Sequence, residues 1–121
     1  MEVNSSIETM AKKLALTRRS EYLAVYESGK AYAGHVLVIK MLPNSLKTTR
    51  VGFSVTKEIG GAVVRNRVKR LLKEIARAVN IKPGWDIVFI ARRKIVDADF
   101  HQLNKAVMDL LRRADLLEQN A

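Results

Sequence analysis

Apolar side chains recur along this chain with two spacings, and the switch from one to the other sets out its elements. Between residues 17 and 28, Tyr22, Val25 and Tyr26 fall three and four apart, the signature of one helix face. Thr17 or Ser20 stands where an N-cap is expected, and Gly29 where the helix stops. Residues 35–41 hold a continuous apolar centre, Val36-Leu37-Val38-Ile39, and read as a strand. Pro43-Asn44-Ser45 breaks it, and residues 50–56 resume as a strand with Val51, Phe53 and Val55 on one face. Two strands joined by a turn-rich link most simply form an antiparallel hairpin. A short strand over residues 30–33 is signalled more weakly. Gly60-Gly61 then opens a second helix that ends before Pro83-Gly84, and residues 86–91 form a third strand. Its centre, Ile87-Val88-Phe89-Ile90, is too apolar to face water on both sides. A final helix over residues 100–117 begins with Asp99 and Gln102 in capping-box spacing. Leu103, Val107, Leu110, Ala114 and Leu117 give it a seam. The order αββαβα with short links predicts an α+β fold, a small sandwich whose central sheet is packed by helices. Residues 1–14 lack periodicity and read as a flexible arm made basic by Lys12 and Lys13; residues 15–121 read as one domain.

The second helix carries the most information. At about 100° per residue, Val64, Val68, Leu71, Leu72, Ile75 and Val79 fall on one arc, the width of a core-facing stripe. Asn66, Lys69, Arg70, Lys73 and Arg77 gather on the other side, with Arg65 and Arg67 at the boundary. One side calls for a core and the other for a polyanion. Arg offers a planar fork that matches phosphate bidentately, Lys a point charge, and Asn both a donor and an acceptor. A merely solvated face would mix signs at i,i+4 spacing. From Gly61 to Arg77 the one acid is Glu74.

The whole chain has the same bias. In 121 residues, 22 Lys and Arg face 12 Asp and Glu, a net charge of +10. Such an excess bears on partners, and the backbone phosphates of a nucleic acid are the natural counter-surface. A hydrophobic fraction of 48% suffices for a core. No run approaches the ~20 apolar residues of a membrane span, and the polar start has no apolar signal region. The expectation is a cytoplasmic protein with no membrane partner. With no Cys, disulfides, thiolate catalysis and Cys-based zinc sites are excluded.

Catalytic constellations are sparse. His35 and His101 lie far apart without a partner motif, and Ser54 and Thr56 lack a nucleophile elbow. Gly60-Gly61 reads mainly as a turn, since no full phosphate-loop pattern surrounds it. A metal-dependent nuclease built on Asp97 and Asp99 would need a third carboxylate, and Asp99 is better explained as a cap. No catalytic residue and no metal ligand is therefore expected in the chain. Among the aromatics, Phe53, Phe89 and Phe100 stand at core-facing positions, and Trp85 at the start of a strand. Tyr22 and Tyr26, four apart on one helix face, suit either core packing with hydroxyls at the rim or a platform on which bases stack.

The segment Arg50-Val-Gly-Phe-Ser-Val-Thr-Lys57-Glu-Ile-Gly-Gly61-Ala-Val-Val-Arg65-Asn-Arg-Val-Lys-Arg70 resembles the protein subunit of bacterial ribonuclease P, and Gly-Trp-Asp86-Ile-Val88-Phe-Ile-Ala-Arg92 extends the likeness. The resemblance runs from about Leu16 to Leu117. It implies an RNA-binding subunit that assists a catalytic RNA in removing the 5′ leader of precursor tRNA. Hydrolysis and its magnesium are then expected on the RNA subunit. It also implies a left-handed β-α-β crossover at the basic helix, against the usual hand. Carried over by residue, Arg65, Asn66, Arg67, Lys69, Arg70 and Lys73 would meet the catalytic RNA, with Lys57 as a further basic position. Tyr22 and Tyr26 would line the leader cleft. Glu58, Leu37, Lys40 and Ala15 depart from the family pattern: Glu58 would weaken local phosphate attraction, and Leu37 and Lys40 would leave fewer bases stacked. Arg18, Arg19 or Lys12 and Lys13 would compensate for Ala15. The alternative for the same helix is a ribosomal or generic RNA-binding module without a processing role.

Overall fold

A computed structural model describes residues 13–118. In chain order it contains β1 (Leu14–Ala15), α1 (Arg19–Ser28), β2 (Lys30–Ala33), β3 (Leu37–Pro43), β4 (Arg50–Ser54), α2 (Ala62–Ala78), β5 (Trp85–Ala91), a 3-10 turn (Arg93–Asp97) and α3 (Phe100–Arg113). The α+β class stands; β2 is the weakly signalled strand over residues 30–33, and β1 joins the expected elements. Of the arm assigned to residues 1–14, only Lys13 and Leu14 lie within the described residues.

The five strands form one sheet in the order β1-β4-β5-β3-β2. The expected hairpin between β3 and β4 does not form. β5 lies between them, antiparallel to β3 (Ile39 opposite Phe89) and parallel to β4 (Val51 opposite Ile87). The reason is burial. Ile87, Val88 and Phe89 are fully buried, so β5 must have a neighbour on each edge and a layer on each face. The true local hairpin is β2 with β3, closed where Gly34 N–H donates to the Leu37 carbonyl at 2.8 Å. The β4–α2–β5 unit is thus a crossover between adjacent parallel strands.

Alternation along β5 sorts the layers. Ile87 and Phe89 face a large core shared by α2 and α3, built from Leu37, Ile39 and Met41 of β3 with Val68, Leu72 and Ile75 of α2 and Leu103, Val107 and Leu110 of α3. Val88 faces the other way, into a smaller cluster with Leu16 and Val25 under α1, which Tyr22, Tyr26 and Ile90 flank. The sheet therefore separates α1 from α2 and α3.

Helix ends follow local chemistry with some departures. Asp99 caps α3 as expected: its carboxylate accepts from Gln102 N–H at 2.8 Å, and the Gln102 side chain accepts from Asp99 N–H at 3.0 Å. The helix stops at Arg113, short of Leu117. Asp115 turns left-handed (φ 58°), so Asp115 N–H reaches the Arg112 carbonyl and Leu116 N–H that of Leu111. Neither Thr17 nor Ser20 caps α1. Instead the Glu21 carboxylate turns back to accept from the Thr17 and Arg18 N–H groups, each at 3.0 Å. α1 ends at Gly29, whose backbone turns extended while its N–H still donates to the Val25 carbonyl; a Cβ at this position would collide with that carbonyl oxygen. Phe100 is 43% exposed rather than in the core, since it opens α3 on the turn away from the seam.

Candidate nucleic-acid interface

The basic surface begins at the turn before α2. Ile59 and Gly60 N–H groups donate back to Thr56 and Lys57, closing a turn that presents Lys57 and Glu58 to solvent. Gly60 adopts φ 156°, a conformation open to glycine, with Val64 packed 3.1 Å from where a Cβ would lie. α2 then divides as its sequence predicts. Val68, Leu72, Ile75, Ala76 and Val79 are buried, while Asn66, Arg67, Arg70, Lys73 and Arg77 are exposed and Lys69 is half-buried. The stripe begins later than expected. Val64 lies at its margin, and Val63, on the same first turn, is 84% exposed.

This face is unneutralised. Among the described residues the ion pairs are Arg50–Glu21, Arg50–Asp86, Lys82–Asp115, Lys105–Asp109 and Arg112–Asp109, none of them on α2. Asn66, Lys69, Arg70, Lys73 and Arg77 line one open groove with Glu74. Arg65 is partly engaged: it is half-buried, and one N–H donates to the Gly60 carbonyl at 2.9 Å, holding the preceding turn. Its remaining guanidinium donors are available for a phosphate.

A second surface lies across the sheet, where α1 meets β4, β5 and β3. Tyr22 covers Gly52: a Cβ at Gly52 would lie 2.5 Å from the tyrosine hydroxyl and 2.7 Å from its ring. Tyr26 stands 6.4 Å from Tyr22, ring to ring, tilted by 47°. Lys40 Nζ donates to the Tyr26 carbonyl at 2.9 Å and stands 6.0 Å from the ring centre. Both tyrosines are half-buried against the small cluster, so each packs on the sheet and keeps part of its surface accessible. Leu37 does not belong to this surface. It is fully buried on the opposite face, toward α2 and α3, whereas Lys40 shares the tyrosine side.

The clamp that sets α1 on the sheet is absent from the sequence-based expectations. Arg50 donates from Nε and Nη2 to the two oxygens of Asp86 (2.8 and 2.6 Å) and from Nη1 to Glu21 at 2.7 Å. Asn44 donates a further bond to Asp86 at 2.9 Å. The Arg18 and Thr17 N–H groups, with the Arg50 guanidinium beside them, hold the Glu21 carboxyl below its ordinary range. The available signal was Asp86 beside four apolar residues, since a carboxylate in a buried strand demands a partner.

The other candidates stay apart. His35, at the β2–β3 turn, and His101, early in α3, are both exposed. Ser54 ends β4 and Thr56 lies in the following turn. Asp99 is engaged as a cap, and no three His, Asp or Glu side chains gather as a metal site among the described residues. A hollow of about 520 Å³ lies by His35, Lys94, Asp97 and Lys105, away from both surfaces. No helix among the described residues is long and apolar enough to cross a membrane.

Comparison with known proteins agrees with this geometry. Residues 10–115 match the family described as Ribonuclease P. The Ribonuclease P protein component of Dehalococcoides mccartyi is 49% identical over 104 residues, covering 86% of this chain and 87% of that protein. That of Caldanaerobacter subterraneus is 45% identical over 113 residues, covering 91% and 97%. Among solved structures, the RNase P protein of Staphylococcus aureus superposes with a TM-score of 0.79 at 25% identity, covering 88% of this chain and all (100%) of the other. The RNase P protein of Thermotoga maritima gives 0.76 at 30% identity, covering 84% and 97%.

Proposed function

The chain belongs to the ribonuclease P protein family, and from that premise we propose how its two surfaces divide the work of an RNA-binding subunit in tRNA 5′ processing. The outer face of α2, with Arg65, Asn66, Arg67, Lys69, Arg70 and Lys73, docks on the catalytic RNA; Lys57 extends that contact through the preceding turn. Across the sheet, the surface of Tyr22 and Tyr26 receives the 5′ leader of precursor tRNA, whose unpaired bases pack against the accessible parts of the two rings. Phosphodiester hydrolysis and its magnesium belong to the RNA subunit in this reading. No cluster of three His, Asp or Glu among the described residues fits such an ion, so no step is assigned to a protein-held metal. In this reading the protein works in the cytoplasm, alongside the precursor tRNA that it helps to mature.

One observation carries the docking assignment: a helix buries Val68, Leu72 and Ile75 on one side and holds cations without a carboxylate partner among the described residues on the other. The leader surface supplies what a processing enzyme needs, tighter binding of precursor than of product, so that affinity spent on the leader is released with it. The test is reconstitution with the catalytic RNA and labelled precursor tRNA. Adding this chain should raise affinity for leader-bearing tRNA and leave affinity for leaderless tRNA nearly unchanged. Equal gains for the two substrates would reduce the protein to a generic RNA binder.

A further inference from the structure

β1 and the second half of α2 enclose a hollow of about 190 Å³, lined by Lys13, Lys73 and Arg77 over a floor of Val51, Phe53 and Ala76. No acidic residue lines it among the described residues. Lys13 Nζ is shielded from solvent and has no hydrogen-bond partner among the described residues. An ammonium in that position has given up water without a hydrogen-bond partner among the described residues, and burial pushes its pKa below the ordinary range. Lys73 and Arg77 line the same hollow. An anion would relieve all three at once.

The hollow also continues a surface already described. Lys73 and Arg77 line both it and the groove of Asn66, Lys69 and Arg70, so one track of cations runs along α2 and turns down to the sheet edge. β1 is that edge, paired with β4, and the chain leaving it buries Leu16 beneath α1. Residues 13–16 therefore pass from the α2 side of the sheet to the tyrosine side. The volume is enough to seat a phosphodiester group.

We propose that Lys13, with Lys73 and Arg77, forms a phosphate-binding pocket that seats one backbone phosphate of the partner RNA at the β1 edge, carrying the docking face of α2 round toward the leader side. The assignment rests on the docking reading above, and the test separates the two. Lys13→Met keeps the stem and removes the charge; Lys13→Arg keeps the charge. In ~50 mM salt at fixed magnesium, the Met variant should bind the catalytic RNA on the order of tenfold more weakly, with a log–log salt slope shallower by about one. The Arg variant should retain the wild-type slope, and the free Met variant should melt no lower than wild type. A Met variant with wild-type affinity and slope, beside an Arg70→Ala control that loses both, would overturn the Lys13 pocket alone. Silence from both would remove the docking face itself. Weaker binding at an unchanged slope, or a lowered melting temperature, would reveal a packing role and would also overturn the pocket.

Discussion

Asp86 is 5% exposed in a strand whose next residues are all apolar, and its charge is tolerable because Arg50 grips both carboxylate oxygens. Removing one partner of such a pair leaves the other charge buried and uncompensated, which costs about 3–5 kcal/mol. Arg50 keeps Glu21, so Asp86→Asn should fall near the lower bound, about 3 kcal/mol, measured by urea unfolding. Glu21 provides a pH test. Its folded pKa lies below the ordinary 4.5, so it favours the folded state in full above that value, and the contribution fades as pH falls through the folded pKa. Glu21→Gln should therefore melt below wild type at pH 7, and the gap should close as pH drops well under 4.5. Arg50 and Asp86 both stand in the segments that carry the family resemblance, yet their contact spans 36 residues and no local spacing announces it. What could be read was a carboxylate needing a partner; which partner depends on β4 lying beside β5.

At the scale of elements, α2 was legible because both of its faces are written within 17 residues: the buried stripe and the cationic stripe have the same helical period. The Asp99 cap of α3 was legible for the same reason, its partner lying three residues away. Strand pairing was not. β3 and β4 are neighbours in sequence, but the doubly buried β5 takes the place between them, a choice made by the burial of the whole sheet. Leu37 and Phe100 were misplaced likewise, since the face a residue presents depends on where its element docks. α1 depends on such a docking contact at Gly52, where the Tyr22 ring occupies the space of an absent side chain. Gly52→Ala should push that ring outward at a cost of about 1–3 kcal/mol in stability. The holoenzyme's preference for leader-bearing over leaderless tRNA should fall with it, while affinity for the catalytic RNA stays at wild type. Equilibrium binding of the two tRNAs and of the RNA subunit checks each part. Loss of RNA-subunit affinity in this variant would mean that the two surfaces are not separate.

Over the whole molecule, a net charge of +10 is distributed unevenly. The paired charges clamp α1 or lie near α3 and the chain's last described turn, whereas the cations of α2 have no ion-pair partner among the described residues. A protein so arranged is attracted to a polyanion before any specific contact forms, and the attraction depends on ionic strength through the counterions that docking releases. Each phosphate neutralised adds about 0.7–0.9 to the slope of log affinity against log salt. Arg67 and Arg70 test this most cleanly. Both are exposed, whereas Arg65 also holds the Gly60 carbonyl and would lose fold stability when truncated. Arg67→Ala with Arg70→Ala should leave thermal unfolding within about 0.5 kcal/mol of wild type, as surface substitutions do. The same pair should flatten the salt slope by about two and lower holoenzyme activity most at low magnesium, where fewer divalent ions screen the RNA. A double variant whose slope matches wild type would show that the α2 face is solvated rather than docked, however basic it is.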